Sequence, residues 1–150
     1  MNKLAIVTGA TGGIGSSFAK HLAALHYDLL ITSHEPAKLE QVATQLRAQY
    51  KVTVTTISAD LSVMDDINSL TQYIRGLKQV DMLVSCAGYG EKNLFYNETE
   101  EAILKMLSVL LQSTVQIIHA VLPAMITQNS GSIITVSSLA AFIPSPGSSI

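Results

Sequence analysis

Short apolar segments alternate with longer segments of helical periodicity along the whole 150-residue chain. The expected strands are residues 4–8, 28–32, 52–57, 82–85 and 133–136. Four of them are almost continuously apolar, as parallel strands are when helices cover both faces of a sheet. The third alternates apolar residues with threonines, which is typical of an edge strand.

Helical patterns fill the intervals, over residues 13–26, 36–50, 62–78 and 98–128. Pro36 stands in a first turn, where proline is tolerated, and Ser62 is expected to cap the third helix. Pro123 is expected to kink or end the longest one. This alternation predicts an α/β fold, a doubly wound parallel sheet with right-handed crossovers and helices on both faces. Residues 1–150 are expected to form a single domain.

Composition excludes several classes of function. A net charge of −2 provides no basic field for nucleic acid, and a lone cysteine, Cys86, excludes an internal disulfide and a multi-cysteine zinc site. His21, His26 and His119 have no metal-binding spacing, so no metal is expected. The N-terminus is too broken by glycine for a signal peptide, and polar residues interrupt the apolar stretch 107–126. We therefore expect a cytoplasmic protein without a membrane partner.

The segment TGATGGIG, residues 8–15, lies between the first strand and the first helix. Gly9 permits the turn out of the strand, Gly13 lets the backbone approach a pyrophosphate, and Gly15 lets the helix pack closely on the sheet. The first amides of the helix would then face an anion. A glycine-rich turn without a ligand is the alternative, but the strand–loop–helix context favours a dinucleotide site.

The spacing G-x-x-x-G-x-G and the motifs that follow it resemble the short-chain dehydrogenase/reductase family. Asp60-Leu61 follows the third strand, SCAG (85–88) follows the fourth, LPAM (122–125) ends the long helix, and VSS (136–138) ends the fifth strand. The resemblance covers essentially the whole chain and implies a Rossmann-like fold, in which the five strands lie in the order 3-2-1-4-5. It implies a cofactor site formed by Thr8, Gly9, Thr11, Gly13, Ile14, Gly15, Ser33, His34, Asp60, Leu61, Cys86, Ala87 and Gly88.

The end of the second strand bears on the choice of cofactor. An acid at this point binds the adenosine ribose and repels a 2′-phosphate, whereas a nearby cation accepts the phosphate. Ser33 stands at the position of the acid and His34 at that of the cation, which favours NADP(H) over NAD(H). Two alternatives remain open: that His34 is an exposed loop residue without a ligand, and that Glu35 contacts the ribose instead.

The resemblance implies hydride transfer between a nicotinamide and a small carbonyl or alcohol substrate, assisted by a serine, a tyrosine and a lysine. Ser138 matches the serine, whose hydroxyl would stabilise charge on the carbonyl oxygen. In the family the tyrosine of Tyr-x-x-x-Lys would fall immediately after Ile150, and no such pair occurs within the chain. We expect the N-terminal portion of a longer reductase, inactive by itself, whose tail after Ser138 would shape one wall of the substrate pocket.

Two departures from the family pattern keep an alternative open. Leu110 stands where many members place an asparagine that holds a water for proton relay, and SCAG replaces the family's NNAG. Gln112 is two residues away and would face elsewhere on a helix. The alternative is a non-catalytic, NAD(P)-binding or interaction protein. For a full-length parent the resemblance also implies a homo-oligomer.

Overall fold

The computed structural model describes residues 2–90 and 93–143. Within them a single sheet contains β1 (Leu4–Thr8), β2 (Asp28–Ser33), β3 (Val54–Ser58), β4 (Met82–Ser85) and β5 (Ser132–Thr135). The strands are parallel and lie in the order β3-β2-β1-β4-β5. The predicted sheet and its strand order are confirmed, and β3 lies at an edge, as its alternating sequence indicated.

Helices cover both faces of this sheet. They are α1 (Gly13–Ala24), α2 (Pro36–Tyr50), α3 (Met64–Arg75), α4 (Glu100–Leu107) and α5 (Ser113–Thr127), with single 3-10 turns at Phe95–Asn97 and Leu139–Ala141. On one face, α1 and α2 pack against strand residues such as Val7 and Ile31. On the other, α3 and α5 pack against Ile6, Leu30 and Leu83. This two-sided burial explains why the strands are apolar on both faces.

Several helix ends differ from those that the sequence predicts. The first helix ends at Ala24 because His26 adopts a left-handed conformation, with φ of 60°. The third begins at Met64 after Val63, so the prediction that Ser62 caps it is wrong. The Ser62 hydroxyl instead donates to Asp60 Oδ1 at 2.8 Å. The same helix stops before Gly76 rather than at residue 78.

The longest helical stretch is interrupted, but not by its proline. Thr99 caps α4 by accepting the Ala102 amide at 3.2 Å, and a π-helical turn, Ser108–Gln112, joins α4 to α5. Pro123 lies inside α5, which continues to Thr127, so it does not end the helix. The π turn inserts one residue and thereby rotates the two halves relative to each other.

The combined stretch Glu100–Thr127 has 28 residues and is apolar enough, by length and composition, to cross a membrane. About a third (33%) of its most apolar window is buried inside the fold. The polar residues within it led us to expect no such segment. Core helices of soluble proteins meet the same criterion, and α5 packs against the sheet through Ile117 and Val121.

Candidate functional site

The site residues that the sequence predicts lie at one edge of the sheet. Thr8 ends β1 and residues 9–15 follow it, and Ser33 ends β2 and is followed by His34. Asp60 and Leu61 follow β3, and residues 86–88 follow β4. Ser138 follows β5, whose ladder with β4 extends as the Val136 amide donates to the Ser85 carbonyl at 2.9 Å. The carboxyl edge of a parallel sheet is where such folds bind ligands.

The glycine loop is shaped by close contacts between backbone segments. Gly9 has φ of 66°, and a Cβ there would lie 2.8 Å from Ala87 Cα. A Cβ on Gly15 would collide with the Gly9 carbonyl. At Gly13, by contrast, no heavy atom of the described residues, apart from its chain neighbours and its own helix backbone, lies within 4 Å of the Cβ position. Gly9 and Gly15 therefore build the turn, while Gly13 leaves an open face beside the first amides of α1.

The start of α1 is suited to an anion. Gly12 is its N-cap, and no side chain in the described part of the protein caps the first turn. The amides there consequently point toward the loop, together with the positive end of the helix dipole. Ile14, at 57% exposure, lies on the surface of the same turn. This arrangement can hold a phosphate through backbone donors alone.

Thr8 joins the loops after β1 and β4. Its side chain is buried, and Oγ1 accepts hydrogen bonds from the Cys86 amide at 3.0 Å and the Ala87 amide at 3.1 Å. Ala87 packs against the core on the α3 and α5 side, while Cys86 packs against the other core. Burial raises the pKa of the Cys86 thiol, in keeping with the small apolar role that the sequence suggested.

Thr11 joins the glycine loop to the end of β2. Its Oγ1 lies 2.7 Å from Ser33 Oγ and donates to Glu35 Oε2 at 3.0 Å. Ser33 is buried, at 6% exposure, whereas the His34 side chain is exposed. Ser33 therefore contributes to the site through its hydroxyl and its contact with Thr11, and His34 presents its ring to solvent.

The loop after β3 is tightly hydrogen-bonded. Asp60 Oδ1 accepts from the Ser62 amide at 2.9 Å and from its hydroxyl, and the Asp60 amide donates to Asp66 Oδ2 at 2.7 Å. The Ser62 amide is the main cause that lowers the pKa of the Asp60 carboxyl. Leu61 is buried, and its carbonyl accepts from the buried Ser108 hydroxyl at 3.0 Å. The π turn thus packs behind the loop of Asp60 and Leu61, which the sequence places in the cofactor site.

Leu110, in the same π turn, packs over Gly88. Its Cδ2 lies 3.0 Å from the position of a Cβ on Gly88, so this leucine limits the space above the loop after β4. Gln112 points elsewhere, with Nε2 4.0 Å from Met64 Sδ. The expectation that Gln112 faces away from the asparagine position is therefore confirmed, and an apolar side chain occupies that position.

Ser138 has an exposed side chain, and its Oγ accepts the Ala140 amide at 3.1 Å, capping the short 3-10 turn Leu139–Ala141. A hydroxyl that accepts one hydrogen bond still has its own hydrogen to donate. The cap therefore leaves the predicted donor function chemically available. The tail residues 144–150, predicted to shape a substrate pocket, lie outside the described residues.

Two site contacts were not among the expectations from sequence. Ser108 supports Leu61, and the Ser85 hydroxyl lies 3.3 Å from Thr114 Oγ1 of α5. The only signal for them was the presence of small polar residues in an otherwise apolar helix. Across the described part of the chain, no group of three or more histidine, cysteine or acidic side chains could hold a metal ion.

Comparison with known proteins places this geometry in context. The family model described as short chain dehydrogenase matches residues 3–150. The very-long-chain 3-oxoacyl-CoA reductase-A of Danio rerio is 35% identical over 97% of this chain and 47% of that protein. The chain spans about half the length of the curated relatives that it matches.

Two solved structures extend the comparison. The short-chain dehydrogenase from Sphingobium yanoikuyae in complex with NADPH has a TM-score of 0.93 and 26% identity, over 98% of this chain and 57% of that one. A metagenomic short-chain oxidoreductase in complex with NADP has a TM-score of 0.89 and 28% identity, over 97% of this chain and 66% of that one.

Proposed function

Because the chain belongs to the short-chain dehydrogenase family, we propose that it holds a nicotinamide dinucleotide at the carboxyl edge of its sheet and serves hydride transfer to or from a small carbonyl or alcohol. The observation that carries this proposal is the glycine loop: Gly9 and Gly15 close it, and Gly13 leaves an open face beside uncapped amides of α1. Such a face fits a pyrophosphate.

Different segments of the chain would bind different parts of the cofactor. Backbone amides at the start of α1 would bind the pyrophosphate, and the loops at Ser33–Glu35 and Asp60–Leu61 would hold the adenosine. The Thr8 bonds keep the loop after β4, residues 86–88, beside the glycine loop. The nicotinamide supplies the hydride when the cofactor is bound.

We propose NADP(H) as the preferred cofactor. Support comes from the hydroxyl, rather than a carboxylate, at Ser33 and from the exposed His34, which gains a positive charge when protonated. The two solved relatives described above hold NADPH and NADP. A first substrate panel should contain 3-oxoacyl thioesters and ketones, since the zebrafish relative is a 3-oxoacyl-CoA reductase.

Ser138 is the catalytic residue that we propose. Its exposed hydroxyl, fixed by the Ala140 amide, would donate to the carbonyl oxygen and stabilise the negative charge that develops there. The chain contains no Tyr-x-x-x-Lys pair, so these 150 residues alone are expected to bind cofactor with little or no turnover.

The second candidate is a non-catalytic, dinucleotide-binding member of the family. The contact of Leu110 with Gly88 favours it, because an apolar side chain occupies the place of the water-holding asparagine. Calorimetry with NADPH and NADH tests the shared binding step, and binding of neither would refute both candidates. Oxidation of NADPH with the substrate panel, by a form of the protein that carries the Tyr-x-x-x-Lys segment, separates them.

We also propose that the protein assembles as a homo-oligomer in the cytoplasm, without a membrane or nucleic acid. Residues 106–150 contain no Asp, Glu, Lys or Arg. An apolar stripe runs along the exposed side of the α4–α5 stretch at spacings of three, four and, between Val115 and Leu122, seven residues. Its members are Leu104, Leu107, Leu111, Val115, Leu122 and Ile126. Exposed apolar stripes of this kind favour pairing with another helix.

A further inference from the structure

The Glu35 carboxylate belongs to a closed ring of hydrogen bonds with two hydroxyls. The Thr11 hydroxyl gives its single hydrogen to Glu35 Oε2, so the short contact between Thr11 and Ser33 must use the hydrogen of Ser33. Ser33 Oγ in turn accepts the Glu35 amide at 3.3 Å. Within the ring each of the three residues donates once and accepts once, Glu35 donating through its backbone amide and accepting through its carboxylate, which fixes the direction of every bond.

The ring carries a negative charge. Lys38 Nζ lies 3.2 Å from the same Oε2, with the two side chains 53% and 43% exposed. The Thr11 hydrogen bond, followed by that of Lys38, lowers the pKa of the Glu35 carboxyl below its ordinary value. Glu35 is therefore ionised at neutral pH, and its partners hold the charge against the glycine loop rather than letting it swing into solvent.

The Glu35 carboxylate lies between the two segments that form the proposed adenosine site. Thr11 lies in the glycine loop, and Ser33 and Glu35 lie at and just beyond the end of β2. In a dinucleotide fold the ribose of the adenosine sits between these two segments, and an acid there accepts the 2′-hydroxyl. Ser33 carries no carboxylate. The hydrogen bond from Thr11 instead holds the carboxylate of Glu35, two residues further along the chain, beside Ser33 and the glycine loop.

We propose that Glu35 is a specificity-determining residue that limits binding of the 2′-phosphate, acting from its hydrogen-bonded position on Thr11. This inference rests on the proposed dinucleotide site. A 2′-phosphate carries roughly −1.5 to −2 charges and would face the carboxylate, whereas a 2′-hydroxyl can donate to it. The preference for NADP(H) set by Ser33 and His34 is then smaller than it would be without Glu35.

The test compares Glu35→Gln with wild type by calorimetry, using NADPH, NADH, 2′,5′-ADP and 5′-AMP. Glutamine keeps an oxygen for Thr11 and removes the charge. We expect the Kd for NADPH and 2′,5′-ADP to fall about tenfold, as removal of one like charge a few ångströms away predicts. The Kd for NADH and 5′-AMP should not fall and should rise by less than about tenfold, because the 2′-hydroxyl keeps an oxygen acceptor and loses only the charge assistance of that hydrogen bond.

Glu40→Gln is the matched control. Glu40 is also an exposed acid on α2, it is ion-paired with Arg47 and bonded to Thr56, and its loss changes the net charge equally. It should leave all four affinities unchanged. Glu35→Ala serves as a second variant, since it removes the charge and the ring together and should give the same gain for NADPH. Thermal unfolding without ligand checks that each variant folds.

An equal effect of Glu35→Gln on NADPH and NADH, or no effect on either, would overturn the assignment. So would an equal gain from Glu40→Gln, because the effect would then be one of net charge. Salt gives an independent readout: the gap between the NADPH affinities of wild type and Glu35→Gln should narrow as ionic strength rises. If wild type binds neither cofactor, the proposed function itself fails, which is a distinct result.

Discussion

Gly9 is the residue whose substitution tests the geometry of the site most directly. Its φ of 66° is a left-handed conformation that an alanine adopts only with strain. A Cβ there would lie 2.8 Å from Ala87 Cα, 2.9 Å from Ala87 N and 3.0 Å from the Cys86 carbonyl oxygen. All three are backbone atoms, held in place by the hydrogen bonds to Thr8, so they cannot move aside as a flexible side chain would.

The magnitude follows from these two effects. The left-handed conformation costs an alanine about 1–2 kcal/mol. Forcing a methyl group against fixed backbone costs about 1–3 kcal/mol more. Gly9→Ala should therefore lower the free energy of unfolding by about 2–5 kcal/mol, a large share of the roughly 5–15 kcal/mol typical of a domain. At about 2–4 °C per kcal/mol for a domain of this size, the Tm should fall by roughly 4–20 °C.

Urea unfolding followed by far-UV circular dichroism measures this loss, and Gly13→Ala is the matched control. No described atom lies near the Cβ position of Gly13, so this variant should unfold within about 1 kcal/mol of wild type. It should nevertheless bind NADPH more weakly, because its methyl group covers the open face of the loop. A Gly9→Ala variant as stable as wild type, or equal destabilisation by both substitutions, would refute this account of the loop.

Three further outcomes are expected. Thr8→Val removes the acceptor of two loop amides and should cost about 1–3 kcal/mol in urea unfolding, with Thr8→Ser close to wild type. The folded pKa of Asp60 is lowered, chiefly by Ser62, so its contribution is complete above the ordinary pKa of about 4 and is lost as the pH falls toward the folded value. The stability gap between wild type and Asp60→Asn should therefore be constant above about pH 5 and shrink as the pH falls below about 4. Leu111→Glu should lower the apparent mass in sedimentation, whereas Leu25→Glu, at similar exposure on another surface, should not.

The parts of the fold that the sequence predicted well depend on local patterns. Strand β1 and helix α2 begin and end at the predicted residues, because an apolar run or a proline at a first turn acts within a few residues of itself. The errors are also local. Ser62 has the chemistry of a cap, but its hydroxyl is taken by Asp60, and the choice between the two partners depends on how the loop packs.

The long helix shows the limit of the same reasoning. Its periodicity predicted one helix from residue 98 to 128 that Pro123 would kink or end. The helix continues past Pro123 to Thr127, and its regular geometry is interrupted instead at the π turn Ser108–Gln112. Nothing in the helix itself calls for that turn. The Ser108 hydroxyl bonds to Leu61, 47 residues earlier in the chain, and this distant partner is absent from any local pattern.

The sequence by itself therefore determined the parallel sheet, because periodicity acts over short stretches of chain. Through the resemblance of its motifs to a family, it also indicated the strand order and the segments that meet at the carboxyl edge. Only the tertiary structure decided how those segments are joined there. Thr8 bonds to Ala87 across 79 residues, and Glu35 reaches Thr11 across 24. Such contacts depend on the distances between loops that the packed sheet and helices impose. The same packing sets a carboxylate against the glycine loop, two residues beyond the position where the sequence motif places it.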